Sequence, residues 1–257
     1  MPASTSNVTS ATPTRASSCN SCRARPRRAS RRSPASTASA RATRGSNTPR
    51  PCRLRAPRRW NVFLLPTDRH AGAQELEQAY ADIVRKVAAA VTVPVSVKLP
   101  MRLTNVLSVG DALLARGARG VVLYNRFFEP DIDVEKMCFV AGDPFSEPSE
   151  LRNVLRSTAL CSHALPQLDV AVSTGVHDGE AAVKALLCGA SAVQVCTAIH
   201  RYGYEAISRI GRFIDEWAGR QGFASLDEFR GRMDYGSAEG DHYQRVQYMK
   251  YFPHGVE

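Results

Sequence analysis

The first sixty residues contain no acidic residue, no lysine, no isoleucine, no phenylalanine and no tyrosine, and their first leucine is Leu54. Such a segment cannot bury enough apolar surface to offset the entropy of ordering it, so residues 1–60 are expected to be disordered. No apolar run is long enough to cross a membrane, and the N-terminus lacks the apolar core of a secretory signal, so no membrane partner is expected. The seven cysteines are odd in number and irregularly spaced, which argues against a disulfide framework and for a reducing cytoplasm. Neither HExxH, nor GxxxxGK[ST], nor a Ser–His–Asp order occurs. Cys19 and Cys22 have CxxC spacing, but no second pair or His ligands follow, and no metal site is expected.

Charge is unevenly placed. Residues 1–60 hold 14 of the 34 basic residues, all arginine, so 61–257 carries 20 basic against 24 acidic residues, a net of −4, although the whole chain is +10. The basic segment has three open readings. A nucleic-acid-binding tail would use the arginines against phosphates, but stacking aromatics are missing until Trp60, which argues against a nucleic-acid partner. A transit peptide would show an amphipathic period, and none is present. The third reading is a frameshift artefact, because Ala, Arg, Pro, Ser and Thr are what GC-rich DNA yields in a wrong frame.

From Trp60 onward the chain alternates between apolar runs and helical periods. Strands are expected at 61–65, 93–99, 120–124, 168–172 and 192–195. Helices are expected at 74–90, at 106–115 closed by Gly117, at 150–164 capped by Ser149, between the last two strands, and at 204–220. Residues 131–147 break the rhythm as an inserted hairpin. Ser225 with Glu228 reads as a capping box, and the tail after Met233 has no period. Strands alternating with helices imply an α/β fold with a parallel sheet: a (β/α)8 TIM-barrel type, incomplete at about five of eight units.

The segment Leu168 to His200 carries the strongest signal. Its two apolar runs stop at Ser173-Thr174-Gly175 and at Cys196-Thr197, small or hydroxyl residues that leave backbone N–H groups uncrowded. In a βα-barrel, adjacent final loops of this kind hold a phosphate. Lys98 lies near the end of the apolar run VPVSVKL, either reaching out to water or aimed at a ligand anion. Asn125 ends the next run, either as a turn former or as a polar ligand contact. Asn61 is analogous, with its direction undetermined. His163, His177 and His200 read as surface or helix-end residues.

These residues carry a family resemblance. VPVSVKLP, GVVLYNR, the STG turn and LLCGASAVQVCTAI with its long terminal helix resemble the dihydroorotate dehydrogenase superfamily, from about Trp60 to about Met233. The resemblance implies an FMN-dependent (β/α)8-barrel flavoprotein that oxidises dihydroorotate to orotate in pyrimidine biosynthesis. It divides the chain into the N-terminal segment 1–60, a partial FMN-binding barrel at 61–233 and a tail at 234–257. By position, Lys98, Asn125, Thr174, Gly175, Cys196 and Thr197 are implied as FMN contacts, and Asn61 and Asn125 as contacts to the substrate, dihydroorotate or a similar small molecule.

Two departures follow. The family pattern places a Cys or Ser base before a proline, where this chain has Leu65 before Pro66. Leucine accepts no proton, and the nearest hydroxyl, Thr67, is a weak candidate base. The resemblance also begins at the family's fourth strand, so three strands are expected to be missing. The expectation is therefore an FMN oxidoreductase, truncated and impaired. The alternative is a non-catalytic barrel remnant with at most weak FMN binding, and a homodimer is left open.

Overall fold

A computed structural model describes residues 58–62, 64 and 68–245. The expectations placed on residues 1–57, on Leu65 and Thr67, and on 246–257 lie outside the described residues. Within them, five strands form one parallel sheet: β1 (Arg58–Asn61), β2 (Val95–Pro100), β3 (Ala118–Asn125), β6 (Asp169–Val172) and β7 (Ala192–Val193), in that spatial order. The order never reverses. Each crossover steps to the next strand in the same direction, and crossovers of one handedness then put their helices on one face of the sheet. Contacts agree: α1 (Ala73–Ala90) packs on α2 (Val106–Ala115), α2 on α3 (Leu151–Ala164), and α3 on α4 (Gly179–Leu187).

Strand alternation sorts the residues. Val97, Val121 and Val170 are register partners, as are Leu99, Leu123, Val172 and Val193. Apart from the partly buried Val193 these are all buried, in a core shared with Tyr80 and Val84 of α1 and Leu113 of α2. Each such side chain contributes about 1.5–3 kcal/mol by leaving water. The intervening positions, Lys98, Val122, Ala171 and Ala192, fall in register on the other face. An ammonium inside an apolar strand is thus placed by pleat parity.

The ends of the helices follow from local chemistry. Asn105 caps α2, its side-chain oxygen accepting from the backbone N–H groups of Leu107 and Ser108 at 3.0 and 3.2 Å. Gly117, just beyond the C-cap residue Arg116, has φ +97°, the left-handed turn that ends the helix. Asp178 caps α4 by accepting from Ala181 N–H at 2.8 Å.

Several expectations are corrected. The first strand is Arg58–Asn61 rather than 61–65, so it begins inside the segment expected to be disordered, and Asn61 lies at its end. Parallel pairing with β2 fixes this register, while Val62 and Leu64 leave the sheet and pack against the core. Before α3 the capping box belongs to Glu147 and Glu150 around a single 3₁₀ turn, not to Ser149. The last strand is only Ala192–Val193, although Gln194 N–H still donates to Val172 C=O at 2.8 Å. Residues 226–228 form one 3₁₀ turn with no cap from the Ser225 side chain, and the Glu228 carboxylate accepts from Ala224 N–H at 2.8 Å.

The expected hairpin is present as β4 (Pro130–Asp133) and β5 (Cys138–Ala141), an antiparallel pair apart from the main sheet. After β7 come α5 (Thr197–Tyr202) and α6 (Glu205–Gln221). The tail without a period is tied down by its backbone. Gly231 and Met233 donate to the carbonyls of Leu186 and Leu187 at the end of α4, and Tyr235 donates to Ala159 of α3.

Candidate functional site

All the site residues that lie within the described part sit at the carboxyl end of the parallel sheet. Asn61, the last residue of β1, is the register partner of Lys98, which lies two residues before the end of β2, and Asn125 ends β3. The Asn125 side-chain amide donates to the Asn61 side-chain carbonyl at 2.9 Å, joining residues of β1 and β3 across β2. Lys98 Nζ donates to Ser173 Oγ at 3.0 Å, just beyond β6. Asn125 and Ser173 are buried. The sequence placed Ser173 in the turn that stops the apolar run but did not single it out as the partner of Lys98, because that contact joins residues far apart in the chain.

Thr174 and Gly175 follow β6, and Cys196 and Thr197 follow β7; the two strands are adjacent and parallel. Both turns therefore emerge at the same end of neighbouring strands. Thr174 and Gly175 both have positive φ, 82° and 74°. A Cβ at residue 175 would collide with the backbone of Leu151 at the start of α3, so this position requires glycine on two grounds. Thr174 Oγ1 donates to Tyr124 C=O at 3.3 Å, which fixes the turn against β3.

A third segment completes the cluster. Ser146, in the loop between β5 and α3, sends its backbone N–H to Thr197 Oγ1 at 3.1 Å. Its hydroxyl lies 3.0 Å from Thr197 Oγ1 and 3.1 Å from His177 Nε2. Ser146 and Thr197 are buried. His177 is thus a partner of a buried hydroxyl rather than a surface residue. Nothing in the helical or strand periods pointed to Ser146, because loops have none. Arginines pin this loop: Arg126 pairs with Glu150 at 3.2 Å and donates to Asp143 C=O at 2.9 Å, and Arg201 lies 3.5 Å from Glu147. His163 instead meets Asp234 at 3.7 Å near the tail, and His200 stacks on Phe145, its ring 4.6 Å away, so neither joins the cluster.

Behind the site the core holds its protons tightly. Burial pushes the Tyr124 phenol up to about 12, opposed by a hydrogen bond to Ser157 and reinforced by nearby Cys161. Burial alone pushes the Cys161 thiol up to about 12. Neither group is a base or nucleophile near neutral pH. The cluster gathers one ammonium, two carboxamides, the hydroxyls of Ser146, Ser173, Thr174 and Thr197, and one imidazole. This set of one cation and many neutral donors complements an oxygen-rich anion.

These elements define an α/β protein whose sequential parallel strands gather polar residues at their carboxyl ends. Part of the chain is similar in sequence to dihydroorotate dehydrogenases. It is 31% identical over 112 residues to dihydroorotate dehydrogenase (fumarate) of Saccharomyces bayanus, 40% of this chain and 35% of that one. The Saccharomyces cerevisiae protein of the same name is 30% identical over 112 residues, with the same two shares. A Streptococcus agalactiae protein assigned as dihydroorotate dehydrogenase A (fumarate) is 35% identical over 94 residues, 37% of this chain and 29% of that one. The match spans about a third of the length of these relatives. No protein-family model matches the chain.

Proposed function

We propose that this chain is the flavin-binding portion of an oxidoreductase of the dihydroorotate dehydrogenase type, taking FMN and dihydroorotate or a related small molecule. One observation carries the reading. Asn61, Lys98 and Asn125 lie on three neighbouring strands, and Thr174-Gly175 and Cys196-Thr197 follow the next two, so all are at one end of one sheet. The residues fit the cofactor: the two small-residue turns suit a phosphate, and the Lys98 ammonium suits a flavin ring that gains negative charge.

When bound, FMN supplies the hydride-accepting chemistry, and the protein supplies position and charge. Lys98, held by Ser173, orients a cation toward the site. The Asn61–Asn125 pair offers a donor and an acceptor to a substrate that carries both amide and carboxylate groups. Ser146 and His177 brace Thr197, which keeps the second turn in place. The backbone at Gly175 lets the first turn approach a ligand without a side chain between them. Leu65, at the position of the family's base, offers no proton acceptor, so the expected turnover of dihydroorotate is slow; general-base catalysis typically contributes about 10²–10⁴-fold.

The second reading, a barrel remnant that holds flavin weakly or not at all, is favoured by the sheet edges. Among the described residues β1 pairs with β2 alone and β7 with β6 alone, where a closed barrel has no edges. A fluorescence titration of the purified full chain with FMN separates the two. Saturable quenching, weakened in Lys98→Met, supports the flavoprotein; absence of quenching leaves the remnant. Anaerobic addition of dihydroorotate to the loaded protein then tests the base, and rapid bleaching of the flavin would overturn the reading of Leu65. No helix among the described residues is long and apolar enough to cross a membrane. A cytoplasmic setting rests on the cysteine usage.

A further inference from the structure

The two turns suited to a phosphate carry no charge of their own. Thr174, Gly175, Cys196 and Thr197 are neutral, and the Lys98 ammonium is directed at Ser173 Oγ. An anion seated there depends on neutral donors, so the direction in which each hydroxyl points its single proton matters. Thr197 Oγ1 lies 3.0 Å from Ser146 Oγ, which in turn lies 3.1 Å from His177 Nε2. Ser146 and Thr197 are buried, and His177 is half-buried.

We infer that His177 is a positioning residue, which rests on the flavin reading proposed above. With its proton on Nε2, it acts through Ser146 to turn the Thr197 hydroxyl toward a phosphate held between the two turns. A hydroxyl has one proton and two lone pairs. One lone pair of Thr197 Oγ1 already accepts the Ser146 backbone N–H at 3.1 Å. If Thr197 donates to Ser146 Oγ, its proton is spent inside the protein, and its remaining lone pair faces the anion, acceptor against acceptor. If Ser146 donates instead, the Thr197 proton is free for a phosphate oxygen. The serine has then used its only proton, so the bond to His177 must be donated by the imidazole. A bound phosphate therefore selects the order His177 to Ser146 to Thr197, and hydrogen bonds that run one way along a chain strengthen one another.

The loop keeps Ser146 in the relay. Glu147 N–H donates to the Glu150 carboxylate at 2.8 Å, and Arg126 pairs with Glu150 at 3.2 Å while donating to the Asp143 carbonyl at 2.9 Å. The charged residues next in sequence to the three members are engaged elsewhere. Glu147 pairs with Arg201 at 3.5 Å, and Asp178 accepts from Ala181 N–H at 2.8 Å. The imidazole is the member that sets the sense of the chain. A ring nitrogen donates or accepts according to where the proton sits, whereas a hydroxyl does both.

The test titrates the full chain with FMN and with riboflavin, which has the same ring but no phosphate, by quenching of flavin fluorescence. His177→Gln, whose amide nitrogen donates from a similar position, should keep FMN binding within about 3-fold. His177→Glu, which only accepts, should draw the chain the other way and weaken FMN binding about 10- to 100-fold while riboflavin binding is unchanged. Ser146→Ala breaks the relay but keeps the backbone N–H. In that background His177→Glu should cost less than about 3-fold, whereas plain charge repulsion would persist in full. In the 15N-labelled chain the His177 Nε2 resonance reads whether that nitrogen carries a proton, and the FMN complex should show one. Binding of neither flavin would overturn the flavin reading and the relay with it. Four results would overturn the relay alone: FMN binding indifferent to His177→Glu, equal losses for FMN and riboflavin, an undiminished effect of His177→Glu without the Ser146 hydroxyl, or an unprotonated Nε2 in the FMN complex.

Discussion

Lys98 and Ser173 are 75 residues apart in sequence, and the Lys98 ammonium donates to the Ser173 hydroxyl at 3.0 Å. The pair spans from β2 to the turn beyond β6, with β3 between them. Because Lys98 shares its face with Val122 and Ala171, it can reach that turn without crossing the helical layer. If the proposed flavin site is correct, Lys98→Met should weaken FMN binding about 10- to 100-fold, the scale of a hydrogen bond made by a charged group. Lys98→Arg should retain part of it. Fluorescence titration of both variants checks this.

Gly175→Ala should destabilise the fold by at least about 2 kcal/mol, since it adds both a strained positive φ and a collision with the backbone of Leu151. A Cβ placed on Gly222, in the left-handed region at φ 78° and ψ 19°, would meet nothing within 4 Å. Gly222→Ala should therefore cost less, about 1 kcal/mol, from backbone strain alone. Urea denaturation of the two variants measures the difference.

Asn105→Ala should cost about 1 kcal/mol, because two N–H groups at the start of α2 lose their acceptor. Asn105→Asp should preserve the cap and add a favourable charge at the helix N-terminus. Chemical denaturation of both variants, with an unchanged denaturant slope, distinguishes a capping loss from a wider rearrangement.

Stability should fall in alkali. Cys161 titrates near 9.0 when unperturbed and is pushed up to about 12 by burial; Tyr124 goes from 10.0 to about 12 by the same cause. Above pH 9 the unfolded chain releases these protons while the folded chain keeps them, so their contribution is complete below pH 9 and is lost as pH rises toward 12. Cys161→Ala should remove the part of this dependence that begins near pH 9. Tm measured against pH for the two proteins checks it, and a parallel decline in both would count against Cys161.

The order of strands and helices was legible because each element carries its own period. Apolar residues recur at helical spacing in Leu76, Tyr80, Ile83, Val84 and Val87, all within α1. Boundaries were less legible. Asn61 looked like the start of a strand because the residues after it are apolar, but the ladder to β2 makes it the end. Pairing with a strand more than thirty residues away decides that register, and no local window contains both partners.

The candidate site divides in the same way. Lys98, Asn125 and the two small-residue turns could be named from the sequence, because a charge in an apolar run or a glycine after one is a local anomaly. The roles of Ser146 and His177, and the pairing of Ser173 with Lys98, could not. Each is an ordinary residue made significant by what it touches: Thr197 and His177 for Ser146, and Lys98 for Ser173. By itself the sequence determined the alternation of strands and helices and the small-residue turns, since those depend on side-chain period and backbone freedom within a few residues. Only the tertiary structure decided which residues meet at the end of the sheet and that Ser146 stands between His177 and Thr197. Both depend on strand register and on burial, which are properties of the packed chain rather than of any segment of it.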